Sequence, residues 1–256
     1  MKSKRNGIIN LVLLFITIGI NALGAFGFIN GMSQQEVSDK YPTLITPPSF
    51  TFSIWGLIYT LLIISMVYLV VKSTASYSTR FSTEISPYFW LSCLFNIGWI
   101  VTFSFEMIFI SVIFIILLLL SLVMLTRKAA PIRNEKNILV PISFGIYSGW
   151  ILIATVVNIA ALLVSVNWNG FGISEEIWTM IILIAAAAIA LGVHIKIRNV
   201  FLPLPIAWAY IGIGILHRDL NNPIIMALAF ILAIVLVLMS IKMFFDNNRK
   251  FTYSQE

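Results

Sequence analysis

Aromatic side chains recur at helical spacing in three apolar stretches of the chain. In the first stretch, Phe52, Trp55 and Tyr59 are separated by three and four residues, so on a helix they share one face. The other two rows repeat this spacing and add amides: Asn96, Trp99 and Phe103, then Tyr147, Trp150, Ala154 and Asn158. Flat aromatic walls with an indole N–H and a carboxamide are typical of a pocket for a large, planar, mostly apolar ligand.

The alternative for each row is ordinary packing between helices, with the asparagines hydrogen-bonding across helix contacts at about 0.6–2 kcal/mol each. Depth distinguishes the two interpretations. If the second helix runs inward and the third and fifth run outward, Trp55, Trp99 and Trp150 all lie roughly 18–20 Å above the inner membrane surface. That layer is deeper than an interfacial aromatic belt. The three rows therefore predict one pocket in the outer half of the membrane, opening toward the loop at residues 30–48.

The elements that must position these rows are membrane-spanning helices. Of the 256 residues, 60% are hydrophobic and only 10% are charged, against about 25% charged in soluble domains. Because a spanning helix needs about 20 apolar residues, the sequence predicts an all-α membrane protein with about eight transmembrane helices. The apolar runs lie near 8–29, 49–71, 87–105, 107–126, 138–166, 176–196, 200–217 and 223–245.

The basic residues indicate how the helices are oriented. If the N-terminus is cytoplasmic, all 16 lysines and arginines except Lys40 and Arg218 fall in inner segments, which favours a multi-pass cell-membrane protein with both termini cytoplasmic. A rival interpretation of the N-terminus is a cleaved signal peptide, although the apolar run exceeds the usual length of about 7–15 residues. Scattered charge at helix ends favours membrane lipids as partners and excludes a nucleic-acid-binding surface.

Few residues in this chain could perform catalysis or hold a metal. The helix centres carry no charged side chain, so proton relays and ion-coupling sites lack their usual residues. Cys93 is the sole cysteine, which excludes an intramolecular disulfide and a cysteine-based metal site. His194 and His217 fall roughly 25–30 Å apart on neighbouring helices, so we expect interfacial polar residues and no metal site. Without a catalytic constellation, the sequence favours a non-enzymatic protein.

The aromatic rows resemble the signatures of the TspO/MBR family, the tryptophan-rich sensory proteins related to the mitochondrial translocator protein. The second-helix signature matches the Pro-Pro-x-aromatic-x-Phe-x-x-Trp-x-x-x-Tyr run at 47–59, and the third matches Asn96-x-x-Trp99. The fifth matches Pro141 followed by Trp150-x-x-x-Ala154-x-x-x-Asn158. The resemblance covers roughly residues 7–166, which implies a TspO-like five-helix bundle at 1–166 and an additional three-helix unit at 167–256. Departures are Phe50 in place of tryptophan and Ile54 in place of proline.

The resemblance implies a function for the predicted pocket. Members of that family bind porphyrins and other hydrophobic aromatic ligands under a cap formed by the first loop, a role that carries over to Trp55, Tyr59, Asn96, Trp99, Trp150 and Ala154. We therefore expect a sensor or carrier with a tetrapyrrole (porphyrin or haem) ligand, no required cofactor, and a homodimeric assembly. Two alternatives stay open: a secondary transporter of small amphipathic solutes, and a porphyrin-degrading enzyme.

Overall fold

The computed structural model describes residues 2–130 and 138–252, and this part of the chain is almost entirely helical. Seven of its helical stretches are long and apolar enough to cross a membrane, which confirms the predicted all-α membrane class. The helices are α1 Lys2–Ala25, α2 Gln34–Asp39, α3 Ile54–Val71, α4 Ser76–Arg80, α5 Ser86–Ser104, α6 Ile108–Lys128, α7 Leu139–Ser165, α8 Glu175–Ile197, α9 Leu204–Asp219 and α10 Pro223–Asp246.

Two helix boundaries differ from the hydropathy pattern for local backbone reasons. The first helix ends at Ala25 rather than near residue 29, because Gly27 adopts a left-handed conformation (φ 76°) that ends the helix. The third span begins eleven residues early, at Ser76 rather than 87, since a π-helical turn at Phe81–Ile85 joins α4 to α5 shortly before Pro87. A wider turn of this kind continues a helix past a residue that lacks an N–H.

Buried polar pairs fix the register of the first five spans. From α1, the amide of Asn6 donates to the Ser82 carbonyl (2.7 Å) and that of Asn21 to Asn96 Oδ1 (2.6 Å), so α1 and α5 run in parallel. Ser65 of α3 pairs with Ser143 of α7 through their hydroxyls (2.7 Å), in an antiparallel arrangement. Trp55 and Trp150 face one another across the same helix pair. These contacts bring the three aromatic rows to one level.

The seventh predicted span differs from the expectation. Instead of covering 200–217, α9 has 16 residues, about 24 Å, and is shorter than the hydrocarbon core of about 30 Å. The preceding segment, 198–203, is irregular and packs on α7, where Asn199 donates to the Pro141 carbonyl (2.8 Å) and accepts from the Phe201 N–H (2.9 Å). Such backbone is tolerated at membrane depth because it is buried in protein with its polar groups satisfied.

Gly145 and Gly149 of α7 provide the room for this segment. A Cβ at Gly145 would collide with the Asn199 side chain, and one at Gly149 with the Leu202 carbonyl. Small residues four positions apart allow the close backbone approach that membrane helix packing favours. The three C-terminal helices, α8 to α10, are therefore joined to the five-helix bundle through close backbone contact.

The prediction that His194 and His217 are interfacial polar residues is wrong, since both side chains are fully buried within the protein. The ring nitrogens of His194 lie 2.9 Å from the Asn199 carbonyl and 3.3 Å from that of Met239. His217 Nε2 donates to the Leu44 carbonyl at 2.8 Å. Each imidazole is hydrogen-bonded to a carbonyl of non-helical backbone. Because these carbonyls lie inside the protein, the imidazoles that pair with them are buried too.

The basic residues assigned to inner segments collect at one end of the bundle, where several bind backbone carbonyls. Arg80 donates to the backbone carbonyls of Lys128 (3.0 Å) and Ala130 (2.8 Å), and Arg198 donates to the backbone carbonyl of Asp246 (3.2 Å) and to the side-chain oxygen Asn247 Oδ1 (3.1 Å). Arg133 and Lys136, also assigned to an inner segment, lie outside the described residues.

Candidate functional site

Trp55 stands at the centre of an aromatic cluster drawn from three helices. Its ring stacks on Tyr59 of the same helix, with centroids 5.3 Å apart and planes 19° from parallel. Trp99 of α5 lies 6.2 Å away, and Tyr147 and Trp150 of α7 lie 6.1 and 6.3 Å away. Trp99 and Trp150, predicted to share one layer with Trp55, thus both contact its ring. Ring pairs in tilted and edge-on geometry are favourable, each by about 0.5–1.5 kcal/mol beyond burial.

A narrow cavity of about 70 Å³ lies between this cluster and the loop above it. Seven of the ten predicted site residues line it: Phe52, Trp55, Trp99, Phe103, Trp150, Ala154 and Asn158. Gln34, Ser38 and Pro47 of the first loop close its outer side, so the cavity meets the loop at 30–48 as predicted. The remaining predicted residues, Tyr59, Asn96 and Tyr147, lie elsewhere in the cluster.

A second cavity, of about 320 Å³, lies on the opposite side of Trp55, between α1 and α3. Tyr59 lines this cavity, while Phe52, Trp55 and Gln34 line both cavities and form the wall between them. Drug-sized ligands occupy sites of about 300–1000 Å³. The first cavity, of about 70 Å³ and called the inner cavity below, is too small for such a ligand by itself. A shift of Trp55 and Phe52 would merge the two cavities.

Asn96 holds helices together instead of lining either cavity. Its Oδ1 accepts from Asn21 (2.6 Å) and its Nδ2 donates to the Tyr147 hydroxyl (2.9 Å). This buried network joins α1, α5 and α7. Asn158 does line the inner cavity, but its Oδ1 is occupied by the Ser111 hydroxyl at 3.0 Å. The interhelical alternative considered for the two asparagines therefore describes the observed hydrogen bonds of both.

Several donors around the cluster are buried and have no hydrogen-bond partner among the described residues. They are Gln34 Nε2, the Tyr59 hydroxyl, Trp99 Nε1 and Trp150 Nε1. Buried polar groups in proteins are nearly always paired, and each unpaired one costs about 1–3 kcal/mol. Four such groups surround Trp55, and all of them belong to residues that line a cavity. The cluster therefore presents unpaired hydrogen-bond donors beside apolar ring faces. It is suited to a flat ligand that carries hydrogen-bond acceptors.

The loop above the inner cavity, residues 33–53, is here called the cap. Its helix α2 begins with a capping box, in which Ser33 and Glu36 exchange hydrogen bonds of 2.7 and 3.1 Å. These bonds, foremost the one from the Ser33 backbone N–H, lower the pKa of Glu36. Because α2 is folded in this way, Gln34 and Ser38 project toward the cavity that they line.

An ion pair ties the cap to the turn between α5 and α6. The Lys40 ammonium lies 2.7 Å from Glu106 Oε1, and the Tyr41 hydroxyl donates to Glu106 Oε2 at 3.3 Å. The bond from Lys40 lowers the pKa of Glu106. Desolvation and the Glu106 carboxylate raise the pKa of Tyr41. Both members of the ion pair are partly exposed, so the tether is weak and the cap is held mainly by its other contacts.

Sequence reasoning missed several residues of the site. Ile153, Val157 and Ala161 line the inner cavity and continue the α7 row at three- and four-residue spacing from Trp150, so the period contained that signal. The Ser33-x-x-Glu36 capping box was also visible and would have indicated α2. The position of Gln34 over Trp55 had no sequence signal, because it depends on how the loop folds back.

A family model described as TSPO-like protein matches residues 7–242. The chain belongs to the TSPO-like protein family. The match extends well beyond residues 7–166, so the family model includes α8, α9 and most of α10 as well as the first five spans. Comparisons with curated proteins and with solved structures gave no significant match. The family is thus established by the sequence model, over nearly the whole described chain.

Proposed function

We propose that this multi-pass membrane protein is a non-enzymatic sensor or carrier that binds porphyrin-like or other hydrophobic aromatic ligands in the cluster around Trp55. The observation that carries the proposal is the set of buried, unpartnered donors on Gln34, Tyr59, Trp99 and Trp150 described above. A planar ligand with acceptor atoms would satisfy these groups while its ring system stacks on the indoles. Membership of the TSPO-like family supports a ligand-binding or sensing role.

The volumes of the two cavities limit how a porphyrin-sized ligand could enter the site. Because the inner cavity has a volume of only about 70 Å³, a tetrapyrrole enters only if the cap lifts or Trp55 and Phe52 move aside. The 320 Å³ cavity between α1 and α3 then contributes the remaining volume. Binding coupled to such a movement is expected to be slow in both directions, since the closed form must open first.

The direct test is a titration of the full-length protein in lipid nanodiscs with protoporphyrin IX. We expect saturable quenching of tryptophan fluorescence and a saturable change in the porphyrin absorption band. The double variant Trp55→Ala/Trp150→Ala should lose both. Trp90→Phe is the matched control, because Trp90 donates to Asn10 (2.6 Å) away from both cavities and its loss should leave the affinity unchanged. Equal affinity in the double variant and the control would refute the site.

A secondary transporter is the second candidate, and the irregular segment 198–203 favours it, because transporter sites often lie at broken helices. In this protein the segment packs against α7, where Asn199 donates to the Pro141 carbonyl and accepts from the Phe201 N–H. The binding-protein proposal predicts no ligand accumulation in proteoliposomes under imposed proton or sodium gradients. Gradient-driven accumulation would favour the transporter. Loss of porphyrin absorbance that depends on Trp55 would instead revive the porphyrin-degrading enzyme.

We also propose a cell-membrane location with both chain termini cytoplasmic, supported by the collection of basic residues at one end of the bundle. Cys93 is buried and gives a low labelling background. In intact cells, an impermeant maleimide should label Asp39→Cys and should not label Lys72→Cys. The reverse pattern would invert the orientation.

A further inference from the structure

Helix α9 binds the cap through two hydrogen bonds to backbone carbonyls. The indole N–H of Trp208 donates to the Thr51 carbonyl at 3.0 Å. Nine residues later, Nε2 of the buried His217 donates to the Leu44 carbonyl at 2.8 Å. Neither carbonyl belongs to a regular α-helix. The Thr51 carbonyl also accepts from the Ile54 N–H at the end of its own short turn, so the Trp208 bond is an additional one that ties this turn to α9.

Between these two bonds, the backbone of α9 packs directly on the cap. A Cβ on Gly212 would collide with the Thr51 methyl group and approach Pro48 Cδ to 3.2 Å. The Trp208 ring meets Phe50 edge-on, with centroids 5.7 Å apart. Contact therefore runs along the length of α9, from Trp208 to His217, and covers the cap from Leu44 to Thr51.

The part of the cap that α9 contacts, residues 44–51, is followed directly by the aromatic cluster. Phe52 follows Thr51 directly, lies edge-on to Trp150 at 5.8 Å, and lines both cavities. Trp55 lies one helical turn further. A shift of the short 3₁₀ turn at Ser49–Ser53 would therefore move the two rings that separate the cavities.

We propose that Trp208 and His217 are positioning residues for the ligand site: α9 holds the cap closed over the cluster and sets how fast ligand enters and leaves. The effect on ligand exchange rests on the proposed function, whereas the hold on the cap does not. On this view the C-terminal helices restrain the movement that ligand entry into the small inner cavity requires. A partner that displaces α9 would move the cap over the site, and a ligand bound in the site would in turn displace α9.

The first experiment needs no ligand. Hydrogen exchange of the full-length protein in nanodiscs is followed for peptides covering residues 43–53 in Trp208→Phe and His217→Leu, and in His217→Gln, which restores an N–H donor. We expect exchange in this segment to accelerate about fivefold in the first two variants, as for the loss of one hydrogen bond, and to return toward wild type in His217→Gln. Trp90→Phe and Gly192→Ala, whose added Cβ meets open space, serve as controls.

The outcomes are distinct. Acceleration confined to 43–53 supports the proposal, while unchanged exchange there, or acceleration across all helices, overturns it. The second experiment is stopped-flow mixing with protoporphyrin IX, in which Trp208→Phe should raise both the association and the dissociation rates severalfold and change the equilibrium affinity less. Unaltered rates, or a change confined to one of the two rates and matched by an equal change in affinity, would contradict the gating role. If the wild type binds no porphyrin, the proposed function fails while the hydrogen-exchange result still decides the hold of α9 on the cap.

Discussion

Replacing Asn96 by alanine distinguishes a structural from a ligand-binding role for this residue. The variant loses the hydrogen bonds from Asn21 (2.6 Å) and to Tyr147 (2.9 Å), both fully buried. Hydrogen bonds between membrane helices contribute about 0.6–1.7 kcal/mol each, and the groups left behind add part of a desolvation penalty. Asn21 keeps its bond to the Thr17 carbonyl, which limits that penalty. We expect a loss of roughly 2–3 kcal/mol in the free energy of unfolding.

The assay is equilibrium unfolding in mixed detergent micelles, paired with a protoporphyrin IX titration of the folded variant. Asn30→Ala is the control, because it removes one longer bond (3.3 Å) to the Ser104 carbonyl at a partly buried site and should cost less than about 1 kcal/mol. Unchanged stability of Asn96→Ala together with a clear loss of ligand affinity would refute the structural role and return Asn96 to the ligand-binding set.

Two further predictions concern packing and pH. Gly149→Ala should destabilise the protein by about 1–3 kcal/mol in the same unfolding assay, because its methyl group collides with the Leu202 carbonyl. Gly192→Ala is the control and should be neutral or stabilise the protein by up to about 1 kcal/mol. Equal effects of the two substitutions would contradict the close contact between Gly149 and the segment 198–203. The lowered pKa of Glu106 means that its bond to Lys40 holds the cap at pH values above the unfolded pKa of about 4.3 and weakens as pH falls through the folded value. Because the pair is partly exposed it contributes about 1 kcal/mol or less, so its loss should raise the intrinsic-rate-corrected hydrogen exchange of the cap on acidification by at most about fivefold. Glu106→Gln should remove this part of the rise and leave the part that comes from protonation of Glu36 in the capping box.

The helices and the aromatic cluster were accessible from the sequence because both depend on periodicity. Hydropathy identifies a spanning helix from its composition, and the spacing of Phe52, Trp55 and Tyr59 fixes a shared face whatever surrounds it. The depth of each residue, counted from the helix ends, then placed Trp99 and Trp150 in the same membrane layer as Trp55. Each step uses only rise per residue and membrane thickness, which are the same in every helical bundle.

Features set by tertiary hydrogen bonds could not be read in this way. Hydropathy treats a side chain buried in protein and one facing lipid alike, so the apolar run at 200–217 gave no sign that the chain is irregular up to Pro203. Likewise His194 and His217 look interfacial by position, yet each pairs with a carbonyl that only the folded structure brings near. Asn21 was overlooked for the same reason, since its partner lies on another helix.

The hydroxyl of Tyr59 offers the most direct test of the claim that the cluster is built for a ligand. It is buried without a partner among the residues described, whereas the Tyr147 hydroxyl accepts from Asn96 at 2.9 Å. Tyr59→Phe should therefore leave the stability of the free protein unchanged or raise it, and lower protoporphyrin IX affinity about fivefold. Tyr147→Phe should show the opposite pattern, with lower stability and nearly unchanged affinity. If Tyr59→Phe destabilises the free protein and binds the porphyrin as tightly as the wild type, the cluster is packing and the ligand-binding function is wrong.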